Sequence, residues 1–158
     1  MAIVLQEEGL ADRVTLFGTD FNDTALQQAK AAIYPLDRVQ SYTRNYQLSG
    51  GQRSFSEYYH ANYNGAVLDT QLKRHIAFAN HNLVTDGVFG EMHLILCRNV
   101  MIYFTRELQT RALQLFTQSL VRGGFLCLGS REDLQFSAVC DQYDVLNESA
   151  RIYRKRAS

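Results

Sequence analysis

An apolar run that stops abruptly at polar side chains limits the folds open to this sequence more than any other segment. Residues 93–97 (HLILC) contain one polar side chain, the imidazole of His93, and Arg98 and Asn99 follow at once. The run predicts a β-strand buried on both faces, as strands of parallel sheets are. Ligands bind outside the carboxyl ends of such strands, because the strand side chains are committed to packing. Arg98, Asn99 and Tyr103 are therefore candidate site residues. Position alone also allows Arg98 to make a surface salt bridge and Tyr103 to fill the core.

Composition and charge narrow the class of protein. The 158 residues are 46% hydrophobic and 20% charged, which is typical of one globular domain, residues 1–158. Sixteen basic and sixteen acidic side chains cancel, so we expect no binding to nucleic acid or to an anionic membrane. No apolar run has the length of a membrane span. Three cysteines without a CxxC pair and four histidines without ligand spacing predict a soluble, cytoplasmic protein with reduced thiols and no metal site.

A second predicted strand is followed directly by an acidic residue. Residues 14–19 (VTLFGT) are β-branched and aromatic, and Asp20 follows them. Asn22 or Asp23 can cap a helix that Pro35 closes. The buried face of this helix is predicted to contain Ala25, Leu26, Ala29, Ala32 and Ile33. Asp20 either caps the helix or accepts hydrogen bonds from both hydroxyls of a ribose, since a carboxylate offers two acceptor oxygens.

The segment 36–73 has a different pattern, in which tyrosines punctuate polar residues. Asn64-Gly65 is a strong hairpin signal, and we expect residues 60–62 and 66–68 to pair as short antiparallel strands. The alternative is a surface insertion whose tyrosine rings lie flat on the protein.

The remaining elements are predicted from apolar runs, caps and glycines. Residues 2–5 end a helix with Gly9 as its left-handed cap. Thr105 begins another helix, which Gly123-Gly124 ends. The expected strands are residues 75–79, residues 125–128, and a final hairpin of residues 143–146 and 151–154.

Several of these segments resemble one family. Residues 97–104 (CRNVMIYF) are identical to the CRNVMIYF motif of CheR, the S-adenosylmethionine-dependent methyltransferase that esterifies glutamate side chains of chemotaxis receptors. Thr19-Asp20 and residues 29–35 (AKAAIYP) match the family's S/T-D and following KA…IYP pattern. The resemblance extends from about Phe17 to the C-terminus. It departs from the family at residues 130–132 (SRE), where many members have His-Ser-Glu, so a histidine-dependent role there has no support.

The resemblance implies a fold, a cofactor and a site. The fold would be α/β, a Rossmann-like methyltransferase sheet with a small antiparallel β insertion at about residues 36–73. In some members this insertion docks a receptor tail by adding a strand to its edge. The resemblance implies that S-adenosylmethionine is bound, and S-adenosylhomocysteine released, by five residues: Asp20, Asn82, Leu83, Cys97 and Arg98. By the same resemblance, Asn82 and Leu83 lie against the adenine. Without the family, Asn82 would be a turn residue and Leu83 ordinary core.

Arg98 and Tyr103 are the predicted catalytic residues. A glutamate is already ionised at neutral pH, so methyl transfer to it requires alignment rather than a strong base. The five-donor fork of Arg98 suits the orientation of a carboxylate. Tyr103 can position the sulfonium methyl or the attacking oxygen through its hydroxyl and ring face.

One part of the family pattern is not found in the sequence. Members begin this domain with a strand and a glycine-rich turn that contacts the methionine part of the cofactor, whereas Met1 stands inside the helix that follows this turn. The sheet is thus expected to be partial, lacking its first strand, which would lie between the strands near Val14 and His93. We expect the chain alone to bind the cofactor weakly or not at all, and to self-associate through the two exposed edges.

The function predicted from the sequence is methylation of glutamate side chains of chemotaxis-type receptors. Two alternatives remain open: a non-catalytic domain that binds a receptor or signalling partner through residues 36–73, and a Rossmann-like domain for another adenine nucleotide.

Overall fold

A computed structural model describes residues 1–63 and 65–157 of the chain. These residues form two compact units, Met1–His81 and Asn82–Ser158, and each unit is described by itself. Asn64, part of the predicted hairpin turn, lies outside the described residues, as does Ser158. None of the helices in the described ranges is both long enough and apolar enough to cross a membrane.

The first unit has a parallel strand pair and a separate antiparallel sheet. Its helices and strands are, in chain order, α1 (Ala2–Glu7), β1 (Leu16–Asp20), α2 (Asp23–Ala31), β2 (Ile33–Tyr34), α3 (Leu36–Leu48), β3 (Tyr59–Asn62), β4 (Gly65–Leu68), α4 (Thr70–Lys73) and β5 (Ile76–Asn80). Strands β1 and β5 pair in parallel, with Asp20 opposite Asn80. The other sheet has the order β2-β4-β3.

The predicted caps of α1 and α2 are confirmed. Gly9 follows α1 with φ of +66°, and its N–H donates to the Gln6 carbonyl at 3.2 Å. Asn22 caps α2, where its Oδ1 accepts from the N–H groups of Thr24 and Ala25 at 2.9 and 3.3 Å. The C-terminal end of α1 and the N-terminal end of α2 are specified by local side-chain and backbone chemistry, so the sequence alone predicts them.

The prediction that α2 continues to Pro35 is wrong. The helix stops before Ala32, which has φ of +53°. The Ala32 carbonyl accepts from the N–H of Leu68 at 3.0 Å, and β2 then pairs with β4. Ile33 is therefore an exposed strand residue rather than part of the buried helix face. Pairing with the antiparallel sheet overrides the helical pattern at this point.

The antiparallel strands predicted within residues 36–73 are confirmed. His60 pairs with Val67 and Ala61 with Ala66. The long helix α3 was not predicted, because its buried face is narrow: Val39, Tyr42 and Tyr46 recur at helical spacing, but polar residues surround them.

Two tyrosines of this segment are buried rather than flat on the surface. Tyr46 and Tyr58 form a small core with Leu72. Both hydroxyls donate to Glu7 Oε1, Tyr58 at a distance of 2.7 Å. These hydrogen bonds, first that of Tyr46, hold the pKa of Glu7 below its ordinary value. Burial, and then the bond to Glu7, raises the pKa of Tyr58. The Glu7 carboxylate thus ties α1 to the inserted segment.

The second unit is a four-stranded mixed sheet with one long helix. Its helix and strands are, in chain order, β6 (Met92–Cys97), α5 (Arg106–Ser119), β7 (Leu120–Leu128), β8 (Tyr143–Asn147) and β9 (Ile152–Lys155). The strand order is β6-β7-β9-β8, with β6 and β7 parallel and the final hairpin antiparallel, as predicted. Thr105 caps α5 as expected, accepting from the N–H of Leu108.

The prediction that β6 is buried on both faces is wrong. Cys97 is buried in the main core, and Ile95 packs against the same cluster beneath α5. Leu94 and Leu96 alternate to the opposite face and are 43% and 51% exposed. An apolar run shows that a strand suits burial, but it does not show which of its faces a helix covers.

The glycine pair after α5 has a different role from the predicted one. The helix ends at Ser119, before Gly123-Gly124, and β7 begins at once. The register against β6 shifts between Met92 and Leu94, and Gly123 has φ of +74° in the displaced part of β7. The glycines therefore accommodate an irregularity within a strand rather than the end of a helix.

Candidate functional site

The loop that follows β6 is held by a buried carboxylate. Glu132 is only 5% exposed, and its two oxygens accept from four backbone N–H groups. Oε1 accepts from Val100 at 2.9 Å and Met101 at 2.8 Å. Oε2 accepts from Asn99 at 3.0 Å and Gly129 at 2.6 Å. These charge-assisted bonds join the loop after β6 to the loop after β7.

The same contact explains the glycine at the end of β7. A Cβ on Gly129 would lie 2.6 Å from Asn99 Oδ1 and 2.7 Å from Glu132 Oε2. Asn99 itself has φ of +60°, a conformation that asparagine tolerates better than most residues. The two loops therefore approach as closely as backbone and carboxylate allow.

Arg98 and Tyr103 stand on this fixed loop and face solvent. Tyr103 closes a short 3₁₀ turn, Met101–Tyr103, and is 83% exposed, so it does not fill the core. Arg98 is also exposed, and it has no ion pair within residues 1–63 and 65–157. The loop thus presents a guanidinium and a phenol to a ligand, while Glu132 holds the backbone between them.

Cys97 belongs to the core. Burial, followed by the charge of Glu132, raises the pKa of its thiol to about 12. The thiol is therefore protonated at neutral pH and is neither a nucleophile nor a charged ligand.

Asn82 and Leu83 lie at the start of the second unit. The Asn82 side-chain oxygen accepts from the N–H of Val84 at 2.9 Å, and its backbone N–H donates to Asp86 at 2.9 Å. Asn82 is thus a turn residue, as its type predicts without the family. Its amide NH₂ has no hydrogen-bond partner in the described part of the chain and can donate to a ligand. Leu83 packs against the core cluster that contains Cys97.

Asp20 lies at the carboxyl end of β1, in the first unit. Its Oδ1 accepts from the N–H of Asn22 at 2.8 Å. Beside it, Asn80 donates to the Phe21 carbonyl and to Asp23, at 3.1 and 2.8 Å. The side chain of Asp20 is exposed, and its second oxygen has no partner among the described residues. That oxygen can accept a hydroxyl hydrogen bond.

The structure brings together four of the predicted site residues within the second unit. Leu83 and Cys97 share one cluster, and Arg98 and Tyr103 follow on the loop beside it. Sequence reasoning missed the part played by Glu132. The available signal was an acidic residue three positions after the glycine that ends a buried strand, where its side chain can turn back to cap backbone N–H groups.

Each unit, taken by itself, presents one polar group of a kind that adenosine can bind. A free carboxylate oxygen after β1 matches ribose hydroxyls, and a free amide NH₂ at Asn82 matches a ring nitrogen.

Comparison with known proteins agrees with this chemistry. The chain matches the family model "CheR methyltransferase, SAM binding domain" over residues 1–151. It is 48% identical over 155 residues to the protein named "Putative methyltransferase Cher3" of Pseudomonas putida, covering 98% of this chain and 57% of the relative.

Two chemotaxis protein methyltransferases of Vibrio are more distant relatives. The protein of Vibrio parahaemolyticus is 29% identical over 145 residues, which cover 89% of this chain and 49% of the relative. Chemotaxis protein methyltransferase 1 of Vibrio cholerae is 30% identical over 142 residues, which cover 87% and 48%. The chain thus spans about half the length of these curated relatives.

The family match settles the fold and the cofactor class. The fold is a Rossmann-like α/β methyltransferase fold, and the methyl donor of the family is S-adenosylmethionine rather than another adenine nucleotide. The match to almost the whole chain, together with the site loop on β6, shows that the chain belongs to the CheR methyltransferase family and carries residues of its S-adenosylmethionine-binding domain.

Proposed function

We propose that the protein methylates glutamate side chains of chemoreceptors. The observation that carries the proposal is the loop of residues 98–103, on which Glu132 fixes the backbone and Arg98 and Tyr103 face solvent. The names of the Vibrio relatives support a chemotaxis methyltransferase.

The proposed chemistry needs alignment and charge rather than a base. S-adenosylmethionine supplies a methyl group activated by a sulfonium. The acceptor glutamate is a carboxylate at neutral pH, and Arg98 orients it by two parallel N–H donors. Tyr103 offers a hydroxyl and an exposed ring face beside it. One carboxylate oxygen gains the methyl group as the carbon–sulfur bond breaks, so no proton is transferred.

The other predicted residues are assigned to the adenosine part. We assign Asp20 to the ribose hydroxyls, and Asn82 and Leu83 to the adenine. We assign Cys97 a contact to the cofactor through its backbone only, because its thiol is buried and neutral.

A second candidate function is docking of a receptor or signalling partner without catalysis. Strand β3 lies at the edge of the β2-β4-β3 sheet, where an extended peptide can add a strand. Self-association through β6, an edge strand of the other sheet, is a further part of the proposal. A cytoplasmic location is proposed as well, and the free thiols of Cys97, Cys127 and Cys140 support it.

Methyl transfer to a receptor fragment tests the proposal. The chain would be incubated with saturating methyl-labelled S-adenosylmethionine and a chemoreceptor cytoplasmic fragment, and base-labile methyl ester would be counted. We expect labelling that Arg98→Ala lowers by at least about tenfold to a hundredfold, because one charge-assisted hydrogen bond has about that effect and Arg98 is proposed to donate two. Arg122→Ala, at an exposed arginine of β7, is the matched control. Binding of the receptor fragment without any labelling would favour the docking function.

A further inference from the structure

A cleft of about 550 Å³ lies between the loops that follow β6 and β7. Met101 and Ile102 line it on the β6 side, and Arg131 and Glu132 line it on the β7 side. Arg106, the first residue of α5, also lines it. The cleft is therefore outside the carboxyl ends of two parallel strands, where α/β sheets bind ligands. Its volume is in the range of ordinary ligand sites.

The cleft carries an excess of positive charge. Neither Arg106 nor Arg131 has an ion pair within the described ranges. The acidic lining residues are already engaged. Glu132 is satisfied by four backbone N–H groups, and Asp133 pairs with Arg151. Besides the paired Asp133, the two guanidinium groups thus share the cleft with one carboxylate, Glu132, whose acceptor oxygens are already occupied, and this balance favours anions.

Apolar side chains accompany these cations. Phe136 lines the cleft and is 96% exposed, and Ile102 is also exposed. An exposed phenylalanine next to arginines suits a polypeptide that presents acidic and apolar side chains together, better than it suits a small inorganic anion.

Nearby acidic groups do not cancel this preference. Glu107 is adjacent to Arg106 but does not line the cleft. Backbone hydrogen bonding at the start of α5, then the Thr105 hydroxyl and, to a smaller extent, the charge of Arg106 lower the pKa of Glu107, so its carboxylate interacts mainly with the helix end.

We propose that this cleft binds an acidic residue of the substrate polypeptide, next to the glutamate that is methylated. The proposal rests on the proposed function, because the cleft adjoins the loop of Arg98 and Tyr103 through Met101 and Ile102. Arg106 and Arg131 hold the neighbouring carboxylate, and Phe136 contacts an apolar side chain of the same segment. The cleft thus selects acceptor glutamates that lie in an acidic, amphipathic sequence.

Peptide binding tests the cleft without methyl transfer. The probe is a fluorescein-labelled helical peptide of glutamate, leucine and alanine, with a glutamine-for-glutamate counterpart, measured by fluorescence anisotropy at low salt. We expect Arg106→Glu and Arg131→Glu each to weaken binding of the acidic peptide by about threefold to tenfold, the scale of exposed charge pairs with added repulsion. Arg122→Glu, the same reversal at an exposed position of β7, should leave the affinity unchanged. A glutamate at the first position of α5 is compatible with the helix, so folding is preserved.

The outcomes separate the cleft from the proposed function. The proposal for the cleft would be overturned if the glutamine peptide bound as tightly as the acidic peptide. It would also be overturned if Arg122→Glu weakened binding as much as the cleft variants do. Receptor methylation that both cleft reversals leave unchanged would overturn it too, while leaving the proposed function in place. If the wild-type chain binds the acidic peptide selectively through the cleft but transfers no methyl group, the binding role of the cleft is supported. The same result counts against the proposed function.

Discussion

Glu132 is the residue on which the site loop depends. Glu132→Gln keeps the side-chain shape but turns one acceptor oxygen into an NH₂ group that faces N–H donors of Asn99 and Gly129, or of Val100 and Met101. We expect the free energy of unfolding to fall by about 2 kcal/mol, because buried donors lose their acceptor. Urea unfolding measures the loss, and Glu148→Gln, at an exposed turn, is the control. Equal stability of both variants would contradict the role of Glu132.

Gly129 provides a second, steric test of the same contact. Gly129→Ala places a Cβ within 2.7 Å of Asn99 and of the Glu132 carboxylate, so one of these groups must move. We expect a loss of about 1–3 kcal/mol, the usual cost of overpacking. In Gly87→Ala the new Cβ meets no atom within 4 Å, so thermal unfolding of the two variants isolates the steric term. A cost at Gly129 no larger than at Gly87 would show that the loops separate easily.

At the residue scale, what the sequence predicts is local. Arg98 and Asn99 stand directly after an apolar strand, which predicts a loop there, and the cap at Asn22 acts on residues two and three positions away. Glu132 acts on Val100, which is 32 positions earlier. No periodicity encodes such a contact, because it exists only when β6 and β7 are already paired.

The element that most needs tertiary contacts is α3. It has few apolar residues, and its buried Tyr46 depends on Glu7 of α1. The hairpin β3–β4 was predictable because turn residues and short apolar runs specify it. The helix α3 was not, since only Val39, Tyr42 and Tyr46 mark its buried face and the last of these packs with Tyr58 and Leu72. The two-residue strand β2 was not either, because it is defined by its pairing with β4.

The contacts of Tyr46 and Tyr58 with Glu7 should make stability depend on pH. The folded-state pKa of Glu7 is lowered by its hydrogen bonds, so the stabilisation is present above its ordinary value of 4.5 and is lost as pH falls through the folded-state value. We expect the melting temperature of the double variant Tyr46→Phe, Tyr58→Phe to change less than that of the wild type between neutral pH and the acid range below that value. Circular dichroism melts measure it. Tyr63→Phe, at a fully exposed ring, should retain the wild-type pH dependence. Identical pH profiles of the wild type and the double variant would contradict the proposed link between Glu7 of α1 and the two tyrosines.

On the scale of the whole molecule, an edge strand with an uncovered apolar face is open to association. Leu94 and Leu96 of β6 are exposed, and β6 lies at one edge of its sheet. The other edge strand, β8, carries Asp144 paired with Arg156, and charged edges resist pairing. We expect concentration-dependent self-association in sedimentation experiments. Leu96→Lys should raise the dissociation constant by about tenfold or more, because burial of one leucine side chain stabilises by about 1.5–3 kcal/mol.

A lysine on the opposite edge controls for net charge. Val145→Lys on β8 adds the same charge at a position that is also exposed, 61% against 51% for Leu96, and should not change the association. If both variants dissociate alike, the interface is not β6, and if neither does, the apolar face of β6 is not buried by a second copy.

Cofactor binding tests the proposed assignment of Asp20 and Asn82. We assign the free acceptor oxygen of Asp20 to the ribose and the free amide NH₂ of Asn82 to the adenine, and none of the assigned residues contacts the amino-acid part of the cofactor through a charged group other than Arg98. We therefore expect saturation-transfer NMR to show weak binding of S-adenosylhomocysteine, with an affinity close to that of adenosine alone, since the amino-acid part gains few contacts. Asp20→Asn and Asn82→Ala should abolish the signals of both ligands because each removes an adenosine contact. Asp141→Asn, at an exposed carboxylate outside the site loops, should change neither. Micromolar binding of S-adenosylhomocysteine without measurable binding of adenosine would mean that the affinity comes from contacts to the amino-acid part, and the assignment of Asp20 and Asn82 would be wrong.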